Sequence, residues 1–164
     1  EKKLNDFSKF NPKIIPSIQP THATIDMEWF VDRFGSERLP SAYSYKDLLD
    51  WSGRLILGTN SHEETINPFK TFYDAIYMKV PDLDSSKTFQ NKNALTRYET
   101  LIGMTRWGAY ANFEEAEKGS IEVGKFADFI ILDQDIMEVD IDKVIATRIV
   151  ATILNGKIVF SNRL

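Results

Sequence analysis

The sequence predicts an α/β fold that ends in a small group of strands. The first indication is a helical pattern over residues 43–52 that passes through a short join into the apolar run 54–58, as in an α/β unit. The second is the apolar run 129–132, which is too short for an ordinary helix and indicates a strand covered on both faces. The third is the pair 155–156, Asn-Gly, the strongest two-residue hairpin signal because both positions tolerate positive φ.

The first elements are expected to be a strand and a short helix. Residues 13–19 form the strand, and Pro16 confines it to a sheet edge, a strand start or a bulge, because proline donates no ladder hydrogen bond. The helix that follows can be capped by Thr24 or Asp26, and Gly35 is its stop.

The clearest helix begins after Asn67. Asparagine is a preferred N-cap, and Pro68 takes the first helical position, where its missing N–H costs nothing. Pro81 ends this helix, and the polar residues 82–93, which have no periodicity, predict a mobile surface loop. Six apolar residues within the helix make a wide stripe: Phe69, Phe72, Tyr73, Ile76, Tyr77 and Val80.

A capping box marks the next helix. The Thr96 hydroxyl and the Glu99 carboxylate can each satisfy an orphan backbone N–H. This helix extends to Trp107, Gly108 breaks it, and residues 109–117 are expected to form another short helix.

Strands are predicted for the C-terminal region. Residues 143–160 form two strands around the Asn-Gly turn. Asp128, at the entrance of the strand 129–132, is expected to accept hydrogen bonds from turn amides.

The composition excludes several kinds of chemistry. The 164 residues permit one domain or parts of two. The absence of Cys excludes disulfides, thiolate metal sites and a Cys nucleophile. The two histidines, His22 and His62, would make a metal site built by this chain alone poor in nitrogen ligands.

The charge and hydropathy patterns give no support for a nucleic-acid or membrane partner. The net charge is −4 and there is no polybasic stretch. No apolar run approaches the roughly 20 residues that a membrane helix needs. The charged N-terminal residues lack the apolar core of a signal peptide, but the chain has no initiator Met, so this absence says little. The location is unknown, with a cytoplasmic one favoured, because the N-terminus of the parent is not visible.

Ordered motifs give the chain a resemblance to the YtcJ-like branch of the metal-dependent amidohydrolases. Residues 19–27, QPTHATIDM, resemble the QPTHAT-x-D-M stretch at the seventh barrel strand, and residues 33–38, RFGSER, resemble the R-x-G-x-E-R that follows it. Residues 57–60 and 66–68 are similar to the eighth strand and its loop. Residues 119–128, GSIEVGKFAD, resemble the segment that closes the catalytic part and starts the last strands.

The resemblance implies a fold in two parts. Residues 1–118 would be the last two β/α units of a (β/α)8 TIM-type barrel, and residues 119–164 the C-terminal strands of a small composite β-sandwich domain. The active site of such a barrel lies at the C-terminal ends of its strands. In this chain those ends would be His22 and the loop 59–64.

The resemblance also implies a parent enzyme that hydrolyses amide-like C–N bonds of small-molecule substrates. A divalent metal, with zinc the expected ion, would lower the pKa of a bound water and supply hydroxide at neutral pH. The His-x-His of strand one and the ligands of strands four to six would lie before Glu1. No metal is therefore expected on this chain, and the chain alone is expected to be inactive.

One departure from the family pattern concerns catalysis directly. The family's Asp after strand eight takes the proton from the metal-bound water, and Asn60 occupies its position here. An amide cannot accept that proton as a carboxylate can, so the catalytic role of Asn60 is doubtful and weak or altered chemistry is predicted even in the parent. His22, Arg38 and Glu64 are the candidate substrate-binding residues.

Each candidate also has a structural interpretation. Without its motif, His22 would be interpreted as a hydrogen-bonded structural histidine, and Asn60 suits a turn at a strand end. Arg33 and Arg38 more often make ion pairs or caps than bind a substrate. Residues 62–64, His-Glu-Glu, more often form a solvated loop than a metal site.

A second function class is a non-catalytic, self-associating fragment or interaction module. Open sheet edges and unburied apolar faces favour assembly. A homodimer or a domain-swapped form is the corresponding expectation.

Overall fold

The computed structural model describes residues 14–61, 66–78 and 91–162 and shows a mixed α/β fold with two small sheets. No helix within these ranges is long and apolar enough to cross a membrane. The elements in chain order are β1 (Ser17–Ile18), α1 (Pro20–Phe34), a 3₁₀ helix (Ser36–Ser41), α2 (Tyr45–Ser52), β2 (Ile56–Leu57), α3 (Pro68–Tyr77), a 3₁₀ turn (Asn91–Asn93), α4 (Arg97–Met104), α5 (Arg106–Ala111), β3 (Phe129–Leu132), a 3₁₀ helix (Ile141–Ala146), β4 (Ile149–Leu154) and β5 (Lys157–Ser161).

β1 and β2 form a parallel pair in which Ser17 lies opposite Ile56. The Ile56 N–H donates to the carbonyl of Pro16 at 2.9 Å, and the Gly58 N–H donates to the carbonyl of Ile18 at 3.1 Å. Pro16 thus stands just before the strand, where its carbonyl is used and its missing N–H costs no ladder bond. This confirms the strand-start placement that the sequence allowed.

Helix α1 begins five to seven residues earlier than predicted. Pro20 is its first residue, and Thr24 and Asp26 lie inside the helix, so the prediction that either residue caps it is wrong. Proline at the first position presets a helical φ without losing a hydrogen bond. The Thr24 hydroxyl instead donates to the carbonyl of Thr21 at 2.9 Å, within the helix. Gly35, with a φ of 79°, ends the helix as predicted.

Helix α3 starts as its sequence predicts. The Asn67 Oδ1 accepts a hydrogen bond from the Phe69 N–H at 3.0 Å, and Pro68 is the first helical residue. The helix ends at Tyr77, and Met78 follows in the left-handed conformation. The predicted end at Pro81 and most of the predicted loop lie outside the described residues.

The capping box of α4 is present in both directions. The Glu99 N–H donates to the Thr96 hydroxyl at 3.1 Å, and the Thr96 N–H donates to the Glu99 carboxylate at 2.9 Å. The helix breaks at Thr105 rather than at Gly108, because Thr105 has non-helical dihedral angles and its hydroxyl bonds back to the carbonyl of Leu101. As a result α5 begins and ends earlier than the predicted segment 109–117.

The three C-terminal strands form one antiparallel sheet in the order β3-β4-β5. Asn155 and Gly156 have φ angles of 47° and 74° and join β4 to β5, which confirms the predicted hairpin. The Asp128 carboxylate accepts a hydrogen bond from the Asn155 N–H at 2.7 Å, as predicted for a turn-binding aspartate. Residues 141–146 form a 3₁₀ helix, so the first predicted strand starts later than residue 143.

The prediction that β3 is covered on both faces is wrong for this chain. Phe129, Ile130 and Ile131 are 37%, 47% and 47% exposed. Exposed apolar residues continue on the other edge strand, β5: Ile158, Val159 and Phe160. The described residues therefore leave much of this small sheet without an apolar cover.

Two apolar clusters form the core. The first lies under the parallel pair and contains Ala23, Tyr45, Leu49, Leu55, Leu57, Ala75, Met78 and Leu95. The second joins α3 to the C-terminal sheet, where Phe69 and Phe72 contact Val144 and are flanked by Leu132 and Ile149. The proposed boundary between residues 118 and 119 stays a prediction, and an apolar cluster crosses it.

A pair of glycines on neighbouring helices gives a test of the packing of α4 against β2. A Cβ at Gly103 would lie 2.8 Å from the Leu57 Cγ and 2.9 Å from the Leu55 carbonyl oxygen. Gly103→Ala is expected to lower the free energy of unfolding by about 1–3 kcal/mol, measured by urea denaturation. A Cβ at Gly108 has nothing within 4 Å, so Gly108→Ala should raise it by about 0.5–1 kcal/mol. Equal effects of the two changes would contradict this packing.

Candidate functional site

The parallel pair brings two predicted site residues to one edge of the fold. His22 follows β1 by four residues and Asn60 follows β2 by three residues. Because β1 and β2 are parallel and in register, the segments after them leave the pair at the same edge. His22 itself lies on the first turn of α1 and not at the strand end, which corrects the placement expected from the sequence.

The turn that carries His22 is fixed by its backbone and by two buried threonines. The His22 N–H donates to the carbonyl of Gln19 at 3.1 Å. Thr21 and Thr24 are each 4% exposed, whereas His22 is only partly buried. The threonines therefore face the protein interior, and the imidazole lies at the margin of the buried surface.

Asp74 of α3, which sequence reasoning missed, is buried near those threonines. Its side chain has no exposed surface, and its Oδ2 accepts a hydrogen bond from the Lys70 ammonium at 2.6 Å. Burial raises the pKa of Asp74, while Lys70 and the hydroxyls of Thr21 and Thr24 oppose that rise. The available signal was an aspartate inside the apolar stripe of an amphipathic helix, because a carboxylate there needs a partner.

A second contact joins Asp26 of α1 to Tyr43, which follows the 3₁₀ helix Ser36–Ser41. The Tyr43 hydroxyl donates to the carboxylate of Asp26, and the Tyr43 ring packs edge-on against Phe30 at 5.9 Å between ring centroids. Burial is the largest cause that raises the pKa of the Tyr43 hydroxyl, and the contact with Asp26 raises it further. Tyr43 also has a φ of 49°, a strained conformation for an aromatic residue. Asp26 thus anchors the chain that returns towards β2.

The remaining candidates are not gathered at this edge. Arg38 lies on the 3₁₀ helix after α1 with an exposed side chain, and the twelve residues from His22 to the end of α1 rise by about 18 Å. The Arg33 guanidinium lies over the Trp29 ring, 4.8 Å from the ring centroid, a structural contact other than the ion pair or cap suggested by the sequence. Glu64, with the rest of the His-Glu-Glu loop, lies outside the described residues. Substrate binding by Arg38 stays a prediction.

A metal site needs several ligating side chains close together. Within residues 14–61, 66–78 and 91–162 there is no group of three His, Cys, Asp or Glu side chains that could hold a metal ion. The described residues do not fit a metal centre on their own. No reaction step can therefore be assigned through a metal from this part of the chain.

Comparison with known proteins gives one family. Residues 11–160 match the profile described as amidohydrolase family. The chain is 26% identical over 143 residues to the Bacillus subtilis protein named as amidohydrolase YtcJ, and 30% identical over 145 residues to the Arabidopsis thaliana protein LONG AFTER FAR-RED 3. These alignments cover 87% and 88% of this chain but only 27% and 24% of the relatives, so the chain spans about a quarter of their length.

Two solved structures are similar to this chain. One is a metal-dependent hydrolase from Pyrococcus horikoshii, with a TM-score of 0.72 and 28% identity over 87% of this chain and 28% of that one. The other is a metal-dependent hydrolase from Pyrococcus furiosus, with a TM-score of 0.68 and 26% identity over 84% of this chain and 27% of that one. Both are described as uncharacterized metal-dependent hydrolases.

Proposed function

Because this chain belongs to the amidohydrolase family, we propose that it is the C-terminal part of a metal-dependent hydrolase acting on amide-like C–N bonds of small molecules. The observation that carries the proposal is the common edge of β1 and β2, beyond which both His22 and Asn60 lie. Active residues of parallel β/α units lie at the carboxyl ends of the strands.

In this proposal β1 and β2 are the seventh and eighth strands of a (β/α)8 barrel, and β3, β4 and β5 are the last strands of a composite β-sandwich. The parallel pairing supports the first assignment, because barrel strands are parallel. The exposed apolar residues of β3 and β5 support the second, because a sandwich sheet is covered by a facing sheet. An apolar cleft of about 630 Å³ between α3, α4 and β3 would be filled by the same facing sheet.

The roles of the residues follow from their chemistry. A half-buried imidazole can donate to or accept from the polar group of a substrate, and we assign this role to His22. Asn60 can orient a substrate or water through its amide but cannot take a proton. The divalent metal, with zinc the favoured ion, would be held mainly by residues of the complete protein that precede Glu1, so this chain alone would be inactive.

In the alternative proposal, a second copy of the chain covers the exposed apolar residues of β3 and β5. Both edge strands, β3 and β5, have one unpaired side within the described part of the chain, and each carries exposed apolar residues. Such edges favour pairing between chains. This arrangement would make the chain a self-associating fragment.

The test compares this chain with the complete protein that carries it. The complete protein is expected to bind a divalent metal stoichiometrically and to release amine from members of a panel of N-acyl amino acids. His22→Gln should lower this activity, and the matched change of an exposed β5 side chain, Lys157→Gln, should not. The chain alone should show neither property.

Three results would overturn the proposal. Tightly bound metal on the chain alone would show that the site is complete here. A metal-loaded complete protein that hydrolyses no amide in the panel would remove the activity. A complete protein that binds no divalent metal and that forms a stable dimer in light scattering would favour the self-associating alternative.

A further inference from the structure

We propose that a polar cleft beside α5 is a second, non-catalytic binding site, which takes the carboxylate of a small organic acid through Arg54 and Arg106. The cleft has a volume of about 310 Å³ and is lined by α4, α5, Arg54 and side chains of the segment 115–125. This volume lies at the lower end of the range for ligand pockets. The inference goes beyond the proposed hydrolase function and does not depend on it.

The charged lining of the cleft is mainly positive, although the net charge of the chain is −4. Four cationic side chains and two carboxylates line it: Arg54, Arg106, Lys118 and Lys125, with Glu115 and Glu122. The cleft therefore runs against the charge balance of the whole chain. A concave surface lined by one sign of charge attracts ligands of the opposite sign.

The two lysines of the lining already have partners. The Lys118 Nζ lies 3.1 Å from the Glu114 Oε1. The Lys125 Nζ donates to the Ser120 hydroxyl at 2.7 Å and lies 3.7 Å from the Glu122 Oε2. These contacts join residues of the same segment to one another, so the lysines shape the wall of the cleft.

The two arginines are less engaged. Neither Arg54 nor Arg106 forms an ion pair in the part of the chain that the structure describes. A hydrogen bond with Ser120 is the largest cause that lowers the pKa of Glu122, and the charge of Arg106 adds to it. The Arg54 guanidinium lies over the Tyr110 ring, 4.0 Å from its centroid. A ring holds a guanidinium by its face, which leaves the N–H donors in the guanidinium plane for an acceptor.

The wall that carries Arg106 is closely packed. Gly119 has a φ of 90°, and a Cβ there would lie 2.7 Å from the Ala109 Cβ and 3.2 Å from the Arg106 Cα. The chain at residue 119 thus approaches α5 as closely as a glycine permits. This contact holds the backbone that bears Arg106, and a preformed site loses less entropy when a ligand binds.

The composition of the lining favours an organic monoanion over phosphate. Glu115 and Glu122 would repel a second negative charge, whereas the fork of a guanidinium matches a single carboxylate. The side chains of Ile102, Trp107 and Tyr110 line the same cleft and offer apolar surface to the rest of the molecule.

The cleft is separate from the candidate active site. Arg54 precedes β2 and Asn60 follows it, so the cleft is next to the amino end of the strand whose carboxyl end leads to Asn60. Active residues of a barrel lie at the carboxyl ends of its strands. A ligand in the cleft would therefore contact no reacting atom.

The first experiment titrates this chain with benzoate and follows the Trp107 indole resonance by NMR. The chain has three tryptophans, so Trp107→Phe assigns that resonance. Benzoate should shift it saturably. Benzamide, which has a similar shape and no charge, and inorganic phosphate at the same ionic strength should shift it much less. The proposal is overturned if benzoate gives no saturable shift, or if benzamide or phosphate binds as tightly.

Substitutions that remove one charge test the two arginines. Arg54→Gln and Arg106→Gln should each weaken benzoate binding by about 10- to 100-fold, because each removes charge-assisted hydrogen bonds. Arg148→Gln, at a side chain that is 80% exposed and outside the cleft, should leave the Kd unchanged. The Trp29 and Trp51 resonances report whether each variant is folded, and where one variant does not fold the other decides. An unchanged Kd in a folded Arg54 or Arg106 variant overturns the proposal.

The last experiment uses the complete protein. Calorimetric titration with benzoate should show binding that Arg54→Gln weakens by the same factor. Binding by this chain alone but not by the complete protein would mean that another segment fills the cleft, and it would overturn the proposal. The measurement needs neither metal nor turnover, so a complete protein without hydrolase activity would leave its outcome unaffected.

Discussion

Replacing Phe72 with alanine is expected to lower the free energy of unfolding by about 3–5 kcal/mol. Phe72 is 1% exposed and contacts both Phe69 on its own helix and Val144 of the C-terminal 3₁₀ helix. Its loss removes apolar contacts and leaves a cavity where α3 meets the C-terminal sheet. That is a large fraction of the roughly 5–15 kcal/mol by which a folded domain is stable.

The measurement is thermal and urea denaturation of the variant, with an expected fall in Tm of roughly 10 °C. The matched control is Phe113→Ala, because Phe113 is 91% exposed and the change should stay within about 0.5 kcal/mol. A Phe72 variant as stable as the Phe113 variant would mean that the second cluster does not join the two parts of the chain.

Local chemistry made several element boundaries predictable. Asn67 before Pro68, the Thr96–Glu99 box and the Asn155-Gly156 turn each act through atoms within a few residues, and the structure has all three. The start of α1 was misplaced because two capping residues, Thr24 and Asp26, lie inside the helix and use their side chains elsewhere.

The exposure of β3 could not be read from its own residues. A run of four apolar side chains looks the same whether its cover is present or supplied by another segment. The pattern therefore identified a strand correctly but not its surroundings, and Phe129, Ile130 and Ile131 are exposed. The burial of a strand depends on every segment that packs against it, and this chain spans about a quarter of the length of its relatives.

The candidate site was also predictable only in part. His22 and Asn60 were identifiable because each lies in a motif that resembles the family pattern, and the structure puts both beyond the same edge of the parallel pair. Asp74 was missed because the segment that helps to bury it, with Thr21 and Thr24, is about fifty residues away along the chain. The sequence showed a carboxylate on an apolar helix but not which segment faces it.

The second large effect is expected at Asn60. In the complete enzyme, Asn60→Asp should raise turnover by about 10²–10⁴-fold, because a carboxylate can take the proton of the attacking water and an amide cannot. The new activity should be lost as the pH falls through the pKa of the added carboxyl group, ordinarily about 3.9. The measurement is kcat against pH for both proteins, with metal content determined for each.

Asn162→Asp is the matched control, since it makes the same chemical change at an exposed position after β5. It should leave turnover unchanged and exclude a general effect of added negative charge. If Asn60→Asp folds, retains its metal and gains no turnover at any pH, Asn60 does not occupy the proton-accepting position. The edge formed by β1 and β2 would then bind substrate through His22 without taking part in proton transfer from water.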